Sequence, residues 1–396
     1  MGLSKRITSL TGGGSDGWDV FLKAREMIAA GIGVTELTIG EHDIRTAAPI
    51  LQEMHRTAMG GHTGYAAVPG TKALRETVAA RINARTGVPT GPENVLVTPG
   101  GQAALFAAHM AACDAGDTAL YVDPYYATYP GTLRGAGAVP QVIKAQAENA
   151  FQPRAEDIAA HAAHAASLLI NTPNNPTGVV YSRKTLEGIA EVCRSHDLWL
   201  VSDEVYDTQV WDGAHISPRA LHGMAERTLV VGSMSKSHAM TGSRCGWVVG
   251  PEDAISHLVT LATHTTYGVP GFIQDASCFA LQQGAAFEAE IAAPFLCRRA
   301  LAQEILAAQN TVGLVPAQGA MYLMLDIRAT GMTGEAFAYD LLDTHHIAVM
   351  PGESFGQAAA GHLRLAMTVD DDTFATALET VISHARLRAE QAGAAQ

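Results

Sequence analysis

The chain has 396 residues, 47 % apolar and 16 % charged, which is enough material for a large buried core and more than one ordinary domain. Its formal charge of −13 opposes a nucleic-acid surface, because neutralising phosphates needs clustered Lys and Arg. Five cysteines without metal-knuckle spacing read as reduced thiols. With no leader-like start and no apolar run of the ~20 residues that span a bilayer, the expectation is a soluble cytoplasmic protein.

Along the chain, Gly12-x-Gly14-x-x-Gly17 fits a dinucleotide fingerprint on paper, but no strand precedes it, so it reads as flexible backbone. An amphipathic helix is expected over 18–30, a short extended piece over 37–39, and helices over 49–59 and 71–86. From Asn94 a rhythm sets in. Strands are expected at 95–98, 120–123, 139–143, 168–171, 198–202, 229–232 and 246–249, with helices between most of them, as at 103–113 and 183–196. Strands alternating with helices imply an α/β fold with a mostly parallel, seven-stranded sheet. Past Pro251 the pattern becomes helical over 252–263, 272–283 and 288–310. A smaller α+β unit follows, with strands at 321–325 and 363–366 and helices at 334–344 and 373–388. Asp370-Asp371-Asp372 reads as the acidic start of the last helix. The expected domains are a large one over 45–285 and a small one built from 1–44 and 286–396.

In open α/β sheets, ligands bind beyond the carboxyl ends of the strands. The segments that follow successive strands are Pro99-Gly100-Gly101-Gln102, Asp123-Pro124-Tyr125-Tyr126, Thr172-Pro173-Asn174-Asn175, Asp203-Glu204-Val205-Tyr206 and Ser233-Met234-Ser235-Lys236. Gly101 and Gln102 open a helix whose N–H groups suit a phosphate, and Ser233, Ser235 and Arg244 add hydroxyls and a fixed cation. Asp203 at a strand end needs a cationic partner, which a protonated pyridine nitrogen supplies. Tyr126 can lie on an aromatic ring, Asn175 and Tyr206 can donate to a phenolate, and Lys236 offers an amine to an aldehyde. Together these describe pyridoxal 5'-phosphate (PLP).

The same segments, with Tyr65-Ala66-Ala67-Val68-Pro69-Gly70, Asn174-Asn175-Pro176-Thr177-Gly178 and Leu363-Arg364-Leu365, resemble the class I/II aminotransferases of PLP fold type I over nearly the whole chain. The resemblance implies an amino-acid aminotransferase working by a ping-pong mechanism. Lys236 would condense with the cofactor aldehyde and then carry the proton between the amino acid's α-carbon and the cofactor. Asp203 would hold the ring nitrogen protonated, Tyr206 and Asn175 the phenolate oxygen, and Tyr126 the ring face. Gly101, Gln102, Ser233, Ser235 and Arg244 would bind phosphate. Arg364, helped by the backbone at Gly40, would bind the substrate's α-carboxylate. Tyr65 would reach the neighbouring subunit's site in a homodimer.

Segments such as Ser237-His238-Ala239-Met240-Thr241-Gly242 and Ala359-Ala360-Gly361-His362 are similar to those of the bacterial arginine–pyruvate transaminases within that family. That likeness points to an L-amino acid donor, arginine among the candidates, and a 2-oxo acid acceptor such as pyruvate. His42 stands where the family usually has Pro. Gln102 stands where relatives that prefer acidic donors often have Lys. Asp19, Glu41 and Asp43 are candidates to face a cationic side chain. A C–S lyase or another fold type I PLP enzyme, and an aspartate- or aromatic-type aminotransferase, are the alternatives. Ser233-x-x-Lys236 also fits a penicillin-binding pattern, but its companion motifs are missing.

Overall fold

The structure, a computed structural model, describes residues 1–13 and 17–394. Gly14, the middle glycine of the fingerprint-like run, lies outside the described residues. Gly12 and Gly17 both take the left-handed φ that favours glycine.

The large sheet has seven strands: β1 (Val95–Thr98), β2 (Thr118–Asp123), β3 (Val139–Lys144), β4 (Ala165–Asn171), β5 (Trp199–Asp203), β6 (Thr228–Ser233) and β7 (Gly246–Val249). Their order is β1-β7-β6-β5-β4-β2-β3. All pairings are parallel except those of β7, which runs against both of its neighbours. The central strands are apolar runs rather than alternating patterns because helices cover both faces, whereas the edge strand β3 is partly exposed. Every residue of β1, β6 and β7 is buried. On one face, Leu105 and Ala108 of the Gly101–Ala112 helix pack with Leu169 and Val201. On the other, Leu186, Ile189 and Cys193 of the Arg183–Ser195 helix pack with Leu168 and Leu200.

A second sheet is antiparallel, with β8 (Gly313–Leu314), β9 (Tyr322–Asp326), β10 (Met350–Pro351) and β11 (His362–Ala366) in the order β10-β11-β9-β8. Its core joins Leu323, Leu363 and Phe374 to Val20, Ala24 and Leu37 from the chain's beginning. The extended piece expected over 37–39 is shorter and lies earlier. Only Thr35–Glu36 form a strand, paired in parallel with Ile347–Ala348. Beyond it Leu37 still bonds Ala348 and Ala366, but the Thr38 carbonyl turns to Arg364 and the ladder stops. The long helix expected over 288–310 runs Gly284–Ala307. Asp370 caps the last helix, Asp371–Ala394, by accepting from the Thr373 amide at 3.0 Å. No helix among the described residues is long and apolar enough to cross a membrane.

Candidate active site

The carboxyl ends of β1, β4, β5 and β6 open onto a cavity of about 320 Å³. The second sheet contributes Tyr322 and Arg364 to its wall, and the chain's beginning contributes Trp18, Gly40 and Glu41. Of the site residues expected from sequence, all but Tyr65 line this cavity. Tyr65 lies outside it, 91 % exposed, its ring edge-on to Tyr267 at 5.2 Å.

One end of the cavity is built for an anion. The Gly101–Ala112 helix starts there with no side chain capping its first-turn N–H groups. Gly100 has φ 80°, and a Cβ on it would strike the Arg244 guanidinium. That cation pairs with no carboxylate among the described residues; it donates to the Thr241 carbonyl at 2.9 Å. Ser233 Oγ donates to Ser235 Oγ at 2.8 Å and accepts from the Ser235 amide at 3.0 Å. The Gln102 side chain is engaged elsewhere, donating to Thr132 Oγ1 at 2.7 Å and accepting from Thr128 Oγ1 at 3.1 Å. Its backbone N–H, not its amide, is therefore the group left to bind an anion.

The middle of the cavity holds a buried carboxylate. Asp203 is 4 % exposed, and burial pushes its carboxyl up to about 6 despite the Tyr129 hydroxyl and the Val205 amide that favour the ionised form. Tyr129 donates to Oδ2 at 2.7 Å. A carboxylate so strained by burial calls for a cation. Tyr126 stands edge-on to Tyr129 at 5.8 Å, and burial lifts its phenol to about 12. Asn171 accepts from the Asn175 amide at 2.7 Å and donates to the Asp203 carbonyl at 3.0 Å, tying the β4 and β5 ends together.

Opposite lie the amine and a second cation. Lys236 Nζ donates to the Gly40 carbonyl, and burial lowers its ammonium pKa. Gly40 must be glycine because a Cβ would land on the Tyr322 hydroxyl. Arg364, 1 % exposed, is sandwiched between the rings of Tyr322 at 4.5 Å and Phe355 at 4.3 Å. It donates to Asn175 Oδ1 at 2.9 Å and to the Thr38 carbonyl; its Nε has no partner. No carboxylate among the described residues pairs with it. The guanidinium thus keeps donor capacity that no carboxylate matches, and Arg364 lines the cavity. Tyr206 and Tyr322 share a hydroxyl contact at 3.0 Å, and Asn175 Nδ2 reaches Tyr322 at 3.5 Å.

An uncapped helix with a free arginine, a buried carboxylate and a partly buried lysine along one cavity fit the phosphate, ring nitrogen and aldehyde of PLP. Sequence reasoning missed Tyr129 and Tyr322. Tyr129 had a signal, because it sits three residues after Tyr126 at the start of a helix. Tyr322 had none beyond its place in an apolar strand. Asp43 does not face the cavity; it is held by Arg298 at 2.6 Å. Glu41 does line it, accepting from Thr241 Oγ1 at 2.7 Å, and Asp19 lines an adjoining cavity of about 740 Å³ that shares Trp18 with the first.

The "Aminotransferase class I and II" family profile matches residues 32–381. The arginine–pyruvate transaminase AruH of Pseudomonas aeruginosa is 40 % identical over 363 residues, 91 % of this chain and 92 % of that one. The aspartate/prephenate aminotransferase of Thermus thermophilus is 33 % identical over 96 % of this chain and 97 % of its own. Among solved structures, Thermus thermophilus aspartate aminotransferase with maleate superposes with a TM-score of 0.90 at 33 % identity, covering 97 % of this chain and all of its own. Aspartate aminotransferase from Thermotoga maritima also reaches 0.90, at 30 % identity, over 96 % and 99 % of the two chains. The chain therefore belongs to the class I and II aminotransferases, as a PLP-dependent transaminase of fold type I.

Proposed function

We propose that this enzyme moves an amino group from a cationic L-amino acid, arginine first among them, to a 2-oxo acid such as pyruvate by a ping-pong mechanism. The observation that carries the reading is Arg364, a buried cation with donor capacity that no carboxylate among the described residues matches, lining the same cavity as Lys236. A substrate α-carboxylate completes it with a planar two-bond fork. When bound, PLP supplies an aldehyde to take the amino group and a ring to withdraw electrons from the α-carbon.

The chain's own residues do the rest. Gly101, Gln102, Ser233, Ser235 and Arg244 hold the phosphate, the first two through backbone N–H groups. Asp203, kept ionised by Tyr129, holds a proton on the ring nitrogen. Tyr206 and Asn175 donate to the phenolate oxygen, and Tyr126 covers the ring. Lys236 Nζ, its pKa lowered by burial, is the base that takes the α-proton and returns it on the cofactor side. Gly40, whose carbonyl holds that amine, leaves its N–H for the substrate carboxylate.

Three features support a cationic donor. Among the described residues Arg244 and Arg364 are the arginines lining the cavity, and the phosphate and α-carboxylate take both, leaving none from this subunit for a distal carboxylate. Gln102 is neutral and tied to Thr128 and Thr132. Glu41 at the wall supplies negative charge. A panel of arginine, aspartate, alanine and an aromatic donor, with pyruvate as acceptor and alanine formation scored, tests the reading. Arginine should give the highest kcat/KM; aspartate leading would overturn it.

The exposed Tyr65 supports a homodimer in which it reaches the neighbouring site. The cysteines, unpaired and mostly buried, support a reducing cytoplasmic location. Residues 45–285 form the large domain in this reading, and 1–44 with 286–396 the small one.

A further inference from the structure

The second strand-end segment begins with Asp123, a carboxylate that none of the roles above uses. It is the last residue of β2 and is 2 % exposed. Its Oδ2 accepts from the Ala358 amide at 3.1 Å, and Oδ1 has no partner. Burial pushes the carboxyl up to about 6, while the Ala358 and Gln357 amides and Lys144 pull it down. Such a site is unfavourable for an acid unless the acid holds something in place.

What it holds is the turn after β10. Gly356 has φ 116°, and a Cβ there would land on the Asp123 carboxylate, so turn and carboxylate are in close contact. The Tyr125 amide, two residues on from Asp123, donates to the Phe355 carbonyl at 2.9 Å. Phe355 is fully buried, and its ring lies over the Arg364 guanidinium at 4.3 Å. Two short connections thus run from the end of β2 in the large sheet to the residue that covers the candidate carboxylate reader in the second sheet. The other face of that guanidinium is fixed by Tyr322, which Tyr206 contacts.

We infer that Asp123 is a positioning residue for substrate recognition: it clasps the Phe355–Ala358 turn to the large sheet and so fixes the Phe355 ring against Arg364. The inference rests on the reading of Arg364 as the group that binds the α-carboxylate. A clasp of this kind acts on both substrates equally, because the amino acid and the 2-oxo acid present the same carboxylate. It does not act on the phosphate end, which hangs from β1 and β6.

The test uses Asp123→Asn in the holoenzyme. An amide keeps the size of the acid but loses its charge, and where its oxygen accepts from the Ala358 amide its NH2 group takes the place of Oδ1 against Gly356. KM for donor and for 2-oxo acid should rise together by roughly five- to tenfold, the scale of one ordinary hydrogen bond. The kcat should stay within about twofold, and PLP affinity of the resolved protein should not change. Gly356→Ala, which presses on the same contact from the other side, should give the same split and carries the test where Asp123→Asn does not fold. Unchanged KM values, or PLP affinity falling in step with activity, overturns the clasp. Arg364→Lys, measured alongside, separates the two readings: if it leaves both KM values unchanged, the carboxylate reading of Arg364 fails. If it raises them while Asp123→Asn does not, only the clasp fails.

Discussion

Replacing Tyr129 by Phe removes one hydroxyl and nothing else, at a point where its effect can be worked through. Asp203 titrates at about 6 because burial raises it and the 2.7 Å bond from Tyr129, with the Val205 amide, offsets part of that rise. A hydrogen bond to a charged group contributes about 1.5–3 kcal/mol. At ~1.36 kcal/mol per pKa unit, losing it moves the carboxyl up by roughly one to two units, to near neutrality or above. The sign is then fixed. Protonated Asp203 cannot balance a pyridinium, so PLP affinity falls as pH drops through the carboxyl's pKa, and the variant reaches that fall at higher pH. The assay is PLP titration of the resolved protein by absorbance between pH 5 and 8.5. The acid limb should lie near 6 in the native protein and shift upward by at least one unit in Tyr129→Phe. At pH above about 8.5 the two proteins should converge. An unshifted limb refutes the argument that Tyr129 keeps the carboxylate ionised.

Lys236→Ala should abolish both turnover and the amino-acid-dependent change in cofactor absorbance; turnover that survives removes Lys236 from the reaction. Gly100→Ala forces a side chain into φ 80° and onto Arg244, and should weaken PLP binding by tenfold or more while the fold persists, read by the same titration. Mixing Tyr65→Ala with Lys236→Ala subunits should restore activity that neither has alone, since one site of each mixed dimer then has both groups. No recovery after verified subunit exchange argues against Tyr65 crossing between subunits. His109, fully buried with both ring nitrogens unpartnered, has its pKa lowered by burial to about 4. A folded pKa below the unfolded 6.5 means the unfolded chain binds the proton first, so the stability this residue leaves intact above pH 6.5 is lost as pH falls toward 4. His109→Leu should flatten that loss by up to ~2 kcal/mol in denaturant melts at pH 7 and pH 4.5; equal slopes would show that another group governs it.

The large sheet was legible because its central strands are buried on both faces and so appear as apolar runs between helical periods. Val95–Thr98 and Gly246–Val249 need no context to be recognised. The two-residue strand Thr35–Glu36 was not, because nothing in a short polar piece signals a partner more than three hundred residues away at Ile347–Ala348. The antiparallel sense of β7 was also hidden, since strand direction is set by the chain's path and not by the residues within the strand.

The site divides in the same way. Groups at the strand ends could be found because a turn at a strand's carboxyl end has few structural reasons to hold a Lys, an Asp and an Asn in succession. Groups that act on those groups could not. Tyr322 reads as one more apolar residue of β9, yet it stacks on Arg364, meets Tyr206 and closes against Gly40. Its role exists only where the second sheet meets the first. Asp123 is the intermediate case: sequence placed it at a strand end without a role, because its partner amides lie at 357–358, and backbone N–H groups leave no mark in the side-chain alphabet. A strand cation such as Arg364 can be picked out from the chain, whereas the groups packed around it are visible only after folding. Substrate affinity in this enzyme is therefore expected to respond to substitutions at Asp123 and Tyr322 that sequence motifs alone would pass over.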